Sequence, residues 1–214
     1  TGVQTCALPI SGFLGVEYGA LEPLQAARLL GKAGILAILS PHHRFRQAWL
    51  DREFDASPEL LGPGERRLLE LGRARDGRRD AEAQVSGLIH VASRVTADSW
   101  IAAGVDPAKV MIAPLGAPPP VRVDDLPAPS IGPLRVLYAG QVAVHKGIRH
   151  LLQAWRTLGP GAHAELHLCG SVRVPAGWLE AAPQRIVVHG LLAPAALRAM
   201  YRSADVLVFP SLCD

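Results

Sequence analysis

Residues 134–155 read LRVLYAGQVAVHKGIRHLLQAW, and the fold class turns on them. Leu134 to Tyr138 is a short, largely aliphatic run of the kind found in a buried strand of a parallel sheet. It stops at Ala139-Gly140. After Gly147, residues Ile148, Leu151, Leu152, Trp155 and Leu158 recur at three- and four-residue intervals, one apolar face of a helix. Strand, glycine turn, loop and helix in that order make one unit of an α/β sheet. A glycine after a strand lets a ligand approach the backbone. A helix start offers unpaired N–H groups and a positive dipole end, and Lys146 adds a formal charge there, so the spacing suits an anion. A turn glycine followed by a solvated surface lysine would give the same letters.

The same pattern continues to the C-terminus. Residues 164–168, 185–188 and 205–209 read as strands, and 194–203 as a helix with proline near its start. His189-Gly190 and Pro210-Ser211 end two of these strands, and in open parallel sheets ligands bind outside the carboxyl ends of strands. Upstream, 21–33 reads as a helix and 35–39 as a buried strand. Residues 41–54 (PHHRFRQAWLDREF) form a polar, aromatic stretch. An arginine-rich helix is expected over 65–85, a strand over 88–92, a helix over 95–103 and a strand over 110–115. Prolines crowd the chain between Ala117 and Pro133, where neither helix nor central strand can continue and a stiff spacer is expected.

The expected fold class is therefore α/β, with two tandem Rossmann-like parallel-sheet domains, both incomplete. Residues 1–11 read as a leader foreign to the fold, since the chain starts without methionine and lacks the pattern of a signal peptide. Residues 12–120 are a partial N-terminal domain, 121–133 a proline-rich linker and 134–214 a partial C-terminal domain. The strand over 205–209 is expected to be buried and to lead into a crossover helix, and the chain stops five residues later, so both ends read as cut.

Composition excludes several classes. Of 214 residues 49% are hydrophobic and 19% charged, which gives ample core material and no sign of disorder. The charge sum is 22 − 19 = +3. Lys32, Lys109 and Lys146 are the lysines; the remaining basic residues are arginine, as in GC-rich bacterial genomes. Cys6, Cys169 and Cys213 form neither a CxxC pair nor an even set, which points to a reducing, cytoplasmic compartment. No apolar run reaches the ~18–20 residues of a membrane span. Aromatic residues, at 5%, are too few for a nucleic-acid stacking platform. Neither G-x-G-x-x-G nor G-x4-G-K-[ST] occurs, which leaves an ordinary Rossmann oxidoreductase without its fingerprint.

At this point the residues resemble a family. The strand-Gly140-x5-Lys146-Gly147-helix unit, Val188-His189-Gly190 with LRAMYRSA after it, and DVLVFPSL at 205–212 are similar to the C-terminal domain of GT-B retaining glycosyltransferases of glycosyltransferase family 4 (glycosyl transferases group 1), which includes phosphatidylinositol mannosyltransferases. Residues 82–118 resemble the end of that family's N-terminal domain. The resemblance implies transfer of a sugar from a nucleotide-diphosphate sugar to an acceptor hydroxyl, with donor and acceptor on different domains. Lys146 then stands where the family's lysine binds the donor diphosphate, with Gln141 and Gly140 beside it. Gln141 departs from the arginine often found there. His189 and Gly190 would line the nucleotide pocket, and Asp214 would contact the donor sugar; no catalytic residue is assignable. The resemblance implies no cofactor and no required metal. It implies a nucleotide-sugar donor, a glycan, lipid or small-molecule acceptor, and no nucleic acid. A non-catalytic nucleotide-binding or scaffold protein of the same fold is the alternative.

Three further features have plainer readings. His163, Glu165 and His167 alternate and would share a strand face, where they could hold a metal, although zinc needs three or four converging ligands. His42-His43-Arg44 reads as a solvated loop that could touch an acceptor. The arginines of 66–79 are interspersed with acids, the pattern of a solvated helix face, although a peripheral contact with an anionic inner-membrane surface would also suit them.

Overall fold

The structure is a computed structural model that describes residues 11–117, 119–120, 122, 131–158, 161–180 and 185–213. The expected leader and most of the proline-rich linker lie outside the described residues, as does Asp214. The chain divides into two compact units. One holds the described residues up to Arg46 with Leu69–Gly116; the other holds Gln47–Leu68 and the described residues after Gly116.

In the first unit β1 (Gly12–Val16), β2 (Ala33–Ile38), β3 (Leu88–Val91) and β4 (Val110–Ile112) form a parallel sheet in the order β1-β2-β3-β4. Leu36 pairs in register with Ile89, and Ile38 with Val91. These residues point to one face, where they meet Leu24 of α1 (Leu21–Leu29), Ala83 of α3 (Pro63–Val85), and Ala97 and Trp100 of α4 (Arg94–Ala102). Burying four large aliphatic side chains here contributes roughly 1.5–3 kcal/mol each before chain entropy is subtracted. The opposite face carries Leu14, which is 65% exposed, and Val16, Met111 and Leu39 are exposed as well.

On α3 the expected solvated face holds for Arg66, Arg67, Arg73 and Arg75, which are exposed, but not for Arg79. Arg79 is 1% and Glu82 0% exposed. Arg79 binds the Glu17 carboxylate through Nε at 2.8 Å and the Ser40 hydroxyl at 2.9 Å, with its guanidinium over Tyr18 and Trp100. Glu82 accepts the Tyr18 and Ala20 amides at 2.7 and 2.9 Å, fixing the turn from β1 into α1, where Tyr18 has φ +77°. Alternating charges on a helix fit both readings; a partner elsewhere in the sequence decides which residues turn inward.

In the second unit β5 (Leu134–Ala139), β6 (Ala164–Cys169), β7 (Ile186–Gly190) and β8 (Val206–Leu207) are parallel, in the order β7-β6-β5-β8. This is the 3-2-1-4 order of a Rossmann half, and the direction of winding reverses between β5 and β8. The strand expected over 205–209 is regular only at Val206–Leu207, bracketed by Asp205 N–H to Arg135 O and Val208 N–H to Leu137 O, both 2.9 Å. It is not buried: Val206, Leu207 and Phe209 are exposed, and among the described residues β8 stands at the edge of the sheet, paired with β5. Between the strands run α5 (Ile148–Thr157), α6 (Ala176–Glu180) and α7 (Pro194–Ser203). On α5 the expected apolar face is buried through Ile148, Leu151, Leu152 and Trp155, while Leu158 is exposed.

Residues 43–56, left without an element above, form α2 (His43–Ala56). Its later part belongs to the second unit. There Glu53, almost fully buried, binds Arg149 Nε at 2.6 Å and His150 Nε2 at 2.9 Å at the start of α5. A buried carboxylate in place of an aliphatic residue interrupts the apolar stripe, which hides the helix from a periodicity reading. Among the described residues no helix is long and apolar enough to cross a membrane. Cys169 and Cys213 are buried, and neither forms a disulfide among the described residues.

Candidate functional site

In the second unit three neighbouring strands end on glycine. The Gly140 amide donates to Cys169 O at 2.8 Å and the Gly170 amide to Gly190 O at 2.7 Å, so one hydrogen-bonded row ties the carboxyl ends of β5, β6 and β7. The Gly140 amide is thus used by the ladder, and the Tyr138 hydroxyl lies 3.4 Å from where a Cβ would be. Gly190 sits at φ +66°, where glycine is favoured, and nothing lies within 4 Å of where a Cβ would be. Gly170 is a site residue the sequence reading missed: a Cβ there would lie 1.8 Å from Gly140 O. The glycine ending the run AELHLC was the signal, identical in kind to that at Gly140.

Past Gly140 the loop is packed, not loose. Tyr138 donates its hydroxyl to Gln141 O at 2.5 Å, and burial pushes that phenol up to about 12. Val142 bridges to Val172 in parallel, and Val142, Ala143 and Val144 are buried. Val144–Lys146 then makes a 3₁₀ turn, and Gly147 at φ +71° hands the chain into α5. The segment after β8 returns over this turn. Pro210 O lies 1.9 Å from the place of a Gly147 Cβ, and the Leu212 amide donates to His145 O at 3.1 Å. Only glycine lets these two backbones meet.

Lys146 is thus held at the head of α5, between β5 and the segment that follows β8, where the sheet reverses. Desolvation pushes its ammonium below the usual lysine value, with the nearby Cys213 acting in the opposite sense. The N-cap of α5 is Gly147, so the dipole end of the helix lies beside Lys146. A half-buried cation beside a helix start can hold an anion, and a phosphate is the usual one.

His189 is half-buried at a β-bulge of β7, opposite the Leu168/Cys169 step. The bulge brings its ring to 2.9 Å from His167 Nδ1, the two rings stacked, and burial followed by the neighbouring His167 lowers its affinity for a proton. Glu165 does share the face of His167, at 3.5 Å from its Nε2. His163 completes no metal cluster with them among the described residues. The structure joins Gly140 to Gly190 through Gly170, and Gln141 to Lys146 through the packed loop. Asp214 lies outside the described residues.

In the first unit His42-His43-Arg44 is not a solvated loop. His42 is buried against the edge of Trp100 and its Nε2 lies 3.1 Å from Asp80, while His43 opens α2. His42, Arg44, Asp80, Trp100 and Lys109 line a hollow of about 400 Å³.

Comparison with known proteins agrees with this architecture. The profile of a family described as Glycosyl transferases group 1 matches residues 133–214, the second unit's sheet and its connections. Among solved structures, Anabaena HepE in complex with UDP and glucose has 13% identity and a TM-score of 0.53, over 88% of this chain and 49% of that one. The HepE complex with UDP-glucose gives 13% identity and 0.53, over 88% and 50%. The apo lipopolysaccharide outer core galactosyltransferase WaaB gives 11% identity and 0.46, over 89% and 53%. The chain spans about half the length of these structures, and its two parallel α/β units match the GT-B fold of HepE. No curated protein matches.

Proposed function

We propose that this chain is part of a glycosyltransferase that moves a sugar from a nucleoside-diphosphate sugar to an acceptor hydroxyl, with retention at the anomeric carbon, and that its second unit holds the donor. The observation that carries the reading is the position of Lys146: half-buried, at the head of α5, where the strand order reverses. In such a transfer the bond from the anomeric carbon to the β-phosphate oxygen breaks, and negative charge grows on the departing diphosphate. A fixed cation and oriented amides in a partly desolvated place stabilise that charge more in the transition state than in the bound donor.

The remaining roles follow from position. Gln141 supplies an uncharged hydrogen bond beside the diphosphate, with Gly140 at the end of the strand next to it. His189 borders the nucleotide, its ring set by His167, and the open space at Gly190 lets the nucleotide lie against the backbone. Asp214 is assigned to the donor sugar from the resemblance alone. The charge of the diphosphate is met by Lys146 and the helix end, without a required metal. The acceptor is a glycan, lipid or small-molecule hydroxyl, and a cytoplasmic enzyme with peripheral membrane contact fits the reading.

HepE was solved with UDP and with UDP-glucose, which makes uridine nucleotides the first to test. Calorimetric titration of the 214-residue chain should show UDP binding at least tenfold tighter than UMP, because only UDP brings the β-phosphate to Lys146. Equal affinity for the two would remove the diphosphate from this site.

A further inference from the structure

In the second unit His189 stands at the end of a row of polar contacts. Glu165 and His167 alternate on β6 and so share one face of the sheet. On the neighbouring strand Val188 pairs with Leu168 and Gly190 with Cys169, which leaves His189 as the extra residue of the bulge, and its Nε2 lies 2.9 Å from His167 Nδ1. On the far side of the His167 ring, Nε2 is buried without a hydrogen-bond partner and faces Glu165 Oε2 at 3.5 Å. Arg185 donates to the other oxygen of that carboxylate, Oε1, at 3.0 Å, which fixes the oxygen that faces the ring.

The row has a direction. In a hydrogen bond between two neutral imidazoles one nitrogen donates and the other accepts, and the remaining nitrogen of each ring then takes the opposite role. If His167 Nδ1 were the donor, its buried Nε2 would turn a lone pair toward a carboxylate, a repulsion that water does little to screen there. With the proton on Nε2, the N–H dipole points at Glu165 instead. At 3.5 Å this is too long for a hydrogen bond, so the preference is electrostatic. His167 Nδ1 is then the acceptor, and His189 Nε2 donates to it.

His189 Nδ1 is left bare. Among the described residues it has no hydrogen-bond partner, and it is not shut off from solvent. Burial, followed by the neighbouring His167, lowers the affinity of the His189 ring for a proton, which favours the neutral form. A bare ring nitrogen accepts and cannot donate. Phosphate oxygens are acceptors too and are turned away from it, whereas a nucleoside offers donors in its base N–H and ribose hydroxyls.

We infer, resting on the reading that puts His189 beside the nucleotide, that Glu165 and His167 are positioning residues that hold His189 in the tautomer with its proton on Nε2, and that His189 thereby selects a nucleoside through a hydrogen bond from a base N–H or ribose hydroxyl to its Nδ1. The opposite tautomer would present a donor and favour phosphate at the same place.

The tautomers are read by nitrogen NMR of the ¹⁵N-labelled 214-residue chain without ligand, at a pH above the histidine range, where bare and protonated ring nitrogens have well-separated shifts. The expected spectrum has His167 and His189 both protonated at Nε2. Glu165→Gln keeps the side-chain volume; with Arg185 holding the amide oxygen, its NH₂ faces His167 Nε2, and both rings should move toward protonation at Nδ1. Circular dichroism and urea midpoints verify that each variant folds. Calorimetry then compares UDP with N3-methyl-UDP, which lacks the base N–H, and with dideoxy-UDP, which lacks the ribose hydroxyls. One of the two analogues should bind the parent about 3- to 10-fold more weakly than UDP, and the penalty should vanish in His189→Phe, which keeps a ring without an acceptor. His189 protonated at Nδ1 in the parent, tautomers unmoved in Glu165→Gln, equal affinities for the three nucleotides, or a penalty that persists in His189→Phe would overturn the inference and leave the diphosphate reading standing. Absence of UDP binding would overturn that reading and the nucleoside selection with it, while the tautomers, read without ligand, are decided either way.

Discussion

Gly147→Ala tests whether the turn before α5 is as tightly determined as the backbone indicates. Three costs add. An alanine at φ +71° pays about 1–2 kcal/mol for the left-handed conformation. Its Cβ would meet Pro210 O at 1.9 Å, and because that atom is backbone, the segment after β8 must move, an overpacking strain of roughly 1–3 kcal/mol. Moving the segment weakens the bond from the Leu212 amide to His145 O, worth about 0.5–1.5 kcal/mol. Against these stands a gain of about 0.4–1 kcal/mol from a stiffer unfolded chain. The net loss should be roughly 1.5–6 kcal/mol, read from urea unfolding followed by circular dichroism. Gly161→Ala is the internal control: it lies in the same unit, has no positive φ and has open space at its Cβ, so it should stay within about 0.5 kcal/mol of the parent. A loss below about 1 kcal/mol for Gly147→Ala would refute the close approach of Pro210 to this turn.

Other perturbations reach the remaining parts of the structure. Burial is the largest single influence on Glu53 and opposes its ionisation, yet the hydrogen bonds from Arg149 and His150 together outweigh it and hold the carboxyl below its usual range. A depressed carboxyl contributes stability above its unfolded pKa and loses it as pH falls through the folded value, so acid unfolding should be shallower in Glu53→Gln than in the parent below about pH 4.5; parallel acid limbs would contradict this. Removing one partner of the buried Arg79–Glu17 pair by Arg79→Ala should cost about 3–5 kcal/mol in urea unfolding, where a solvated arginine would cost within about 0.5. Ser93 accepts the Thr96 amide at the start of α4, so Ser93→Ala should cost about 1 kcal/mol by the same method.

The elements that were legible in the sequence are those whose signal is local. The strand-glycine-helix unit around Gly140 and the apolar stripe of α5 need only neighbours in sequence to be read, and both stand where expected. Arg79 was misread, and the burial of Glu82 was not foreseen, because both depend on Glu17, Tyr18 and Ala20, more than sixty residues away, and no window along the chain contains both sides of those contacts. The helix α2 was hidden by Glu53, a charge inside its packed face whose partners are on α5. At the candidate site Lys146 was legible from its place after the turn. Gly170 and the clasp of Pro210 over Gly147 were not, since they express how strand ends align across the sheet. The bulge that turns His189 toward His167 likewise belongs to pairing, not to either strand alone.

The most direct test of the account is UDP affinity with and without the Lys146 ammonium, measured by calorimetry on the parent and Lys146→Ala, with uridine as the comparison ligand. A hydrogen bond to a charged group is worth about 1.5–3 kcal/mol, so UDP binding should weaken roughly 10- to 150-fold while uridine binding stays unchanged. UDP affinity that is the same in both proteins would contradict a diphosphate site at the head of α5.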